Sequence, residues 1–286
     1  MSSDEVAIST APVAGLDLGA YFRRIGYTGA REPALEVLQA LIQQHTRTIA
    51  FENLNPWLRW PVYLDLASIQ HKLVHNGRGG YCFEQNMLFS YVLEALGFSV
   101  TRLAARVVWN RPADTPAPRS HMLLCVIIEG RPYLADVGFG GMTPTGALCL
   151  EPDIVQDTLH EPYRLVRMGK GFLLQAEVGE KWAPLYRFDL HEQEIADYEV
   201  SNWYVSNHPQ SHFVTGLTVA RPDSERRYAL HNTELAIHHR HGITERHTLT
   251  SVDELRVTLT ETFHLTLPSE PAMDLALQRL VEQAGR

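Results

Sequence analysis

The chain has 286 residues, 45% of them hydrophobic, and a formal net charge of −8. That length and apolar content exceed what one core usually holds, so two or three domains are expected. With 25 Lys and Arg against 33 Asp and Glu, the basic footprint of a nucleic-acid binder is missing, and small molecules are the expected partners.

The three cysteines, Cys82, Cys125 and Cys149, are odd in number and form no C-x-x-C pair. This argues against both a disulfide framework and a structural zinc site, and fits a reducing, cytoplasmic setting. The opening MSSDEVAISTAPVAG lacks a basic region followed by an apolar run, and no apolar stretch reaches membrane-spanning length, so a soluble protein is expected.

After a small-residue arm, Leu18, Tyr21, Phe22 and Ile25 recur at helical spacing, and Pro33 opens a second periodic run through Leu35, Leu38, Leu41 and Ile42. A short helix over 66–74 and another from Cys82 through Leu88, Tyr91, Val92 and Leu96, stopped by Gly97, make the first third helical. From Phe98 the pattern turns to β-branched and alternating segments, FSVTRLAARVVW, HMLLCVII and RPYLADVGF, with YRLVRM and FLLQAEV continuing to about residue 190. A sheet or small barrel is expected there. The last third opens with the aromatic stretch DYEVSNWYVSNHPQSHF and runs through strand-like GLTVA and TLT. The capping box Ser251-Val-Asp-Glu254 and a final helix around 273–281 close it. The fold class read from this order is α+β, with changes of texture near residues 97 and 200 that divide the chain into 1–97, 98–200 and 201–286.

Arg78-Gly-Gly-Tyr-Cys82-Phe-Glu-Gln-Asn86 puts a cysteine just after a glycine turn and in the first turn of a helix. Free backbone N–H groups and the positive end of the helix dipole stabilise a thiolate at that address, and the glycines clear the approach to sulfur. Arg78 can add positive charge or tie the loop down, whereas Glu84 and Asn86 read as structural. A thiol nucleophile needs an imidazole held in one tautomer. If Glu129-Gly130 is a two-residue hairpin loop, Ile128 faces Arg131 and Leu123 faces Asp136, with His121 two residues along the same face. The diagonal pair then lies about 7 to 8 Å apart at the backbone, within side-chain reach. Both faces of HMLLCVII are apolar, so a His or Asp at its end needs a buried partner.

The segments R-G-G-Y-C-F-E-Q-N, R-S-H-M and A-D-V-G-F-G-G, in that order, resemble the three catalytic motifs of the arylamine N-acetyltransferases. Cys82 and His121 are 39 positions apart and His121 and Asp136 are 15 apart, spacings that also fit. Ala50-Phe-Glu-Asn-Leu54 is similar to the family's F-E-N-L segment, and Ser206-Asn-His-Pro-Gln-Ser-His-Phe213 to its aromatic-ended loop. The likeness covers nearly the whole chain. It implies an N-terminal helical bundle, a central β-barrel and a C-terminal mixed α/β lid, with a cysteine-protease-like triad of Cys82, His121 and Asp136. It further implies acetyl-coenzyme A as donor, an aromatic amine or hydrazine as acceptor, and a pocket lined by Phe51, Phe139 and Phe213. Tyr204, Gln210 and the loop before His121, including Arg119, match positions similar to coenzyme A contacts. There the chain departs from the family, since Ala117-Pro118-Arg119 stands where many relatives carry small hydroxyl or glycine residues. Trp109 ends a strand beside the cleft, and Gly138 lets the chain pass close to the cofactor and present Phe139.

Val137-Gly-Phe-Gly-Gly141 lacks the lysine of a phosphate loop, and His238-His-Arg-His241 lacks further ligands for a metal, so no metal is expected. Trp109, Trp182 and Trp203 can stack on ligands or fill cores equally well. A cysteine hydrolase, a transglutaminase-like enzyme or a silent coenzyme A binder would use the same triad positions. A monomer or homodimer, with no nucleic-acid or membrane partner, completes the reading.

Overall fold

The computed structural model describes residues 13–240 and 242–285. Most of the N-terminal arm, His241 and Arg286 lie outside the described residues. The fold is mixed α and β, and its first third follows the expected periodicity. Helices span Leu18–Ile25, Leu35–Thr48 and Leu66–Gln70, the last continuing as a wider turn over His71–His75, and a further helix spans Cys82–Ala95. Asp17 caps the first by accepting the Ala20 N–H at 2.7 Å.

An eight-stranded antiparallel sheet follows and curls like a barrel. Its central hairpin joins Arg119–Ile128 to Arg131–Ala135 with Ile128 opposite Arg131 and Leu124 opposite Ala135, the register expected from a two-residue loop. Glu129 and Gly130 both have positive φ, at 50° and 75°, as such a turn requires. The sheet's two edges meet through one side chain. Gln156 on one edge accepts from the Cys149 N–H and donates to the Cys149 carbonyl on the other, at 2.7 and 2.9 Å. Residues of the Arg119–Ile128 strand alternate between two cores. Met122, Leu124, Val126 and Ile128 pack with the N-terminal helices, while Leu123 and Cys125 join Leu165, Leu174 and Tyr186 inside the curled sheet.

A second sheet of five strands contains Phe51–Glu52 from the first third together with Thr218–Pro222, Arg226–His231, Glu234–His239 and Thr244–Thr248. It packs with helices Val252–Val257 and Pro271–Ala284 around Leu217, Leu255, Leu259 and Phe263. The aromatic stretch around Trp203 is a helix, Ile195–Asn207, and the expected boundary at residue 200 falls inside it. Its periodicity is hard to read because Val200, Trp203 and Tyr204 are exposed while Tyr198, Asn202 and Ser206 are buried. Among the described residues no helix is long and apolar enough to cross a membrane.

Candidate active site

The glycine turn before Cys82 is clamped from beneath. Arg78 donates to Glu52 Oε1 from Nε and Nη2 at 3.0 and 2.7 Å, and to Asn55 Oδ1 at 3.0 Å. Gln85 extends the clamp by donating to the carbonyls of Ile49, Ala50 and Gly80 at 3.0 to 3.2 Å. A side chain at Gly79 would sit 2.1 Å from the Ala50 carbonyl oxygen, so only glycine allows the two backbones to lie flush. The A-F-E-N-L and R-G-G-Y-C segments are thus two halves of one support. Glu84, three positions into the helix, accepts the Tyr81 N–H at 3.1 Å and pairs with Lys72 at 2.6 Å. These bonds fix the helix whose first residue is Cys82.

Across from the sulfur, the strand Arg119–Ile128 carries a bulge. Ala105 faces His121 while Arg106 faces Arg119, leaving Ser120 as the extra residue. The bulge turns the Ser120 carbonyl toward Cys82, whose Sγ lies 3.7 Å from it. His121 Nε2 is bound to Asp136 Oδ2 at 2.7 Å, both residues being almost wholly buried. Cys82 is the other side chain that bears on the protonation of the ring. Burial alone would lower the His121 pKa, but the Asp136 charge and hydrogen bond, helped by Cys82, push it up to about 10. Burial likewise opposes ionisation of Asp136, and His121, with the Asn86 amide and the Gly138 N–H as further donors, outweighs it and holds the carboxyl below its usual value.

Those donors are where the sequence reading fell short. Asn86 Nδ2 donates to Asp136 Oδ1 at 3.0 Å and to the Met122 carbonyl at 2.7 Å, while its Oδ1 accepts the Val137 N–H at 3.0 Å. Tyr186 gives its hydroxyl proton to Asp136 Oδ2 at 2.9 Å, and the Gly138 N–H reaches Oδ1 at 2.9 Å. Asn86 lies one helical turn from Cys82, a spacing that signals a shared face. Tyr186 comes from a strand fifty residues after Asp136, and nothing local announces it.

Cys82 and His121 open onto a cavity of about 410 Å3, also lined by Phe51, Phe139, Phe213, Trp109 and Gly138. Phe51 and Phe213 rings lie 5.8 Å apart, and Phe139 meets His121 edge-on at 5.0 Å. A Cβ at Gly138 would be 2.8 Å from Cys82 Cα, so the glycine lets this loop close over the helix start. Arg119 points elsewhere and pairs with Asp189 at 2.7 Å. Tyr204 stacks on His208 and, with Gln210, lies outside the cavity lining. His212 and His238 also line it, the first within the aromatic-ended loop and the second weighed in the sequence only as part of a possible metal cluster. No group of three or more His, Cys, Asp or Glu among the described residues could hold a metal.

A cysteine at a helix start, an imidazole and a buried carboxylate beside an apolar cavity form an arrangement of the kind that thiol-dependent acyl transfer uses. A family model described as N-acetyltransferase matches residues 34–272. The arylamine N-acetyltransferase of Mycobacterium tuberculosis H37Rv is 49% identical over 88% of this chain and 90% of its own. That of Escherichia coli K12 is 41% identical over 87% of this chain and 88% of its own. The structure of Mycobacterium marinum arylamine N-acetyltransferase in complex with CoA superposes with a TM-score of 0.89 at 44% identity, covering 92% of this chain and 99% of that one. The chain belongs to the arylamine N-acetyltransferase family.

Proposed function

We propose that the protein transfers an acetyl group from acetyl-coenzyme A to the nitrogen of an aromatic amine or hydrazine, through an acetyl-Cys82 intermediate. The reading rests on one observation above the others: Cys82 and His121 share the wall of an apolar cavity, and His121 is held from behind by buried Asp136. His121 takes the Cys82 proton, Asp136 stabilises the imidazolium, and the sulfur attacks the thioester carbonyl. N–H groups at the start of the Cys82 helix, which lack intrahelical partners, can receive the oxyanion. The tetrahedral adduct collapses, the C–S bond to coenzyme A breaks, and His121 returns the proton to the departing thiolate. The acceptor nitrogen then attacks acetyl-Cys82, loses its proton to His121 and expels the Cys82 sulfur, which regains it.

Phe51, Phe139 and Phe213 suit a flat aromatic acceptor. A second cavity of about 450 Å3 shares Trp109, Met142 and His238 with the first and is lined by Arg240 and by Arg227, the latter paired with Glu161 at 2.6 Å; guanidinium groups suit the coenzyme's phosphates. Within this reading Gly138 stands where the thioester meets Cys82, while Arg119, Tyr204 and Gln210 would contact the coenzyme at the mouth. The helical, barrel and lid division of the chain belongs to the same proposal.

The test is intact-mass measurement after incubation with acetyl-coenzyme A alone. One added acetyl group is expected, absent from Cys82→Ala. No acetylation, or acetylation persisting in the variant, overturns the mechanism. Discharge of the label by arylamine rather than by water separates transfer from hydrolysis.

A further inference from the structure

We infer that the outer face of the barrel-like sheet carries a binding site for a phosphate group, separate from the Cys82 cavity. Arg106 stands directly opposite Arg119 on one neighbouring strand and directly opposite Arg187 on the other. Residues facing each other across antiparallel strands project from the same face, and like charges placed so destabilise the pairing. Here three guanidinium groups stand in one row across three strands. All three line a cavity of about 230 Å3, joined by the exposed Lys170 from the adjoining hairpin turn. In a chain of net charge −8, such a row calls for an anion to offset it.

The protein supplies little of that anion. Asp189 is the one carboxylate among the described residues that line the cavity. Its Oδ2 accepts from Arg119 at 2.7 Å and its Oδ1 from the His191 N–H at 3.1 Å. Arg106 donates to the Ala117 carbonyl and Arg187 to the Thr115 carbonyl at 3.0 Å, bonds that orient the two forks without neutralising them. Arg187 Nε is buried and has no hydrogen-bond partner among the described residues. A buried donor left open costs free energy unless a ligand fills it. Guanidinium forks match the geometry of phosphate oxygens, and the space suits a phosphate group rather than a whole nucleotide.

The site shares no lining residue with the Cys82 cavity or with the second cavity assigned to the coenzyme, and Arg119, proposed above as a coenzyme contact, is the one residue common to both readings. Arg119 also immediately precedes Ser120, whose carbonyl meets the Cys82 sulfur.

The test is calorimetric titration of the full chain with inorganic phosphate, at ionic strength held constant with sodium chloride. Saturable one-to-one binding is expected. Lys170→Glu, on an exposed turn where folding is not at stake, should weaken it about tenfold, and Arg106→Gln comparably. Arg240→Gln, in the second cavity, should leave it unchanged. Absence of saturable binding, or equal affinity in wild type and both variants of the row, overturns the proposal. Competition identifies the source of the phosphate. If coenzyme A blocks phosphate and dephospho-coenzyme A does not, the site takes the coenzyme's own 3′-phosphate; if neither blocks, it takes a free phosphate-bearing molecule, and either result supports the site. Failure of Arg240→Gln to alter coenzyme A affinity bears on the coenzyme assignment alone.

Discussion

Asn86 Nδ2 lies 3.0 Å from Asp136 Oδ1, so the helix that begins at Cys82 is tied directly to the carboxylate that holds His121. Cys82 and His121 therefore share one brace. Asn86→Ala leaves the Met122 carbonyl, the Val137 N–H and one Asp136 lone pair without their partner in a buried site. A loss of about 2 to 3 kcal/mol in denaturant stability is expected. Acetylation of Cys82, followed by stopped-flow mass measurement, should slow by about tenfold to a hundredfold as the geometry loosens. An unchanged acetylation rate would show that the brace is structural only.

Asp136→Asn keeps the shape but removes the charge facing His121. The rate of Cys82 acetylation should fall about ten-thousand-fold, with the variant still folded by near-ultraviolet dichroism. Alkylation of Cys82 by iodoacetamide at pH 6 should fall with it, because the imidazolium no longer has its counter-charge. Retention of fast alkylation in the variant would remove Asp136 from the proposed role.

Stability should depend on pH in two opposed windows. The folded pKa of His121 is raised by Asp136 to about 10, against about 6.5 when unfolded, so its contribution is complete below pH 6.5 and is lost as the pH rises through about 10. Asp136 is held low, so its contribution is present above its unfolded value and is lost only as the pH falls through the depressed folded one. His45 behaves in the reverse sense to His121. It is buried between Tyr21 and Gln85, and burial, despite the Gln85 bond, lowers it to about 4. The folded state then binds fewer protons than the unfolded between about 4 and 6.5, and stability declines as the pH drops through that window. Urea midpoints from pH 4.5 to 9.5 should show both limbs, and Asp136→Asn should flatten the alkaline one. A variant with the wild-type alkaline slope would contradict the His121 assignment.

Gly138→Ala puts a methyl group 2.8 Å from Cys82 Cα and 2.9 Å from Asn86 Nδ2. The loop must withdraw from the helix start, and activity should drop by more than about tenfold while the melting temperature changes modestly. Equal losses from Gly141→Ala, whose added methyl would meet nothing within 4 Å, would point to some cause other than this close approach.

Phe213→Leu tests the acceptor side. Phe213 is only partly buried and rests on Phe51 and Tyr81 at 5.8 and 5.6 Å. The KM for an aromatic amine should rise about fivefold to tenfold with acetyl-Cys82 formation unaltered. A change in the first half-reaction but not the second would move Phe213 from acceptor to donor.

Much of the site was legible before folding. The cysteine after two glycines, the hairpin loop at Glu129-Gly130 and the parity that carries Asp136 to His121 are local or counted along one turn, and the register agrees with them. The clamp was half legible: Arg78 was a candidate to tie the loop, but Glu52 and Asn55, which it binds, come from a segment more than twenty residues earlier. Strand Arg226–His231 was missed, and of Thr244–Thr248 only the last residue falls in the expected TLT segment. The first mixes charged with apolar residues, and the second is wholly exposed, so neither shows clean alternation; each exists because its neighbours supply a ladder. The helix Ile195–Asn207 hid for a related reason, its large aromatic residues pointing partly to solvent.

The sequence by itself determined what could be read within a turn or a hairpin: the address of Cys82 at a helix start, the pairing of His121 with Asp136, the helical first third and the strand-rich middle. Only the tertiary structure decided which distant groups converge on that pair. Tyr186 and Asn86 on Asp136, Phe51 beside Phe213, and three arginines in one row across three strands are products of long-range registry. Chain spacing does not encode such meetings, because they are set by how sheets curl and cores fill rather than by local backbone preference.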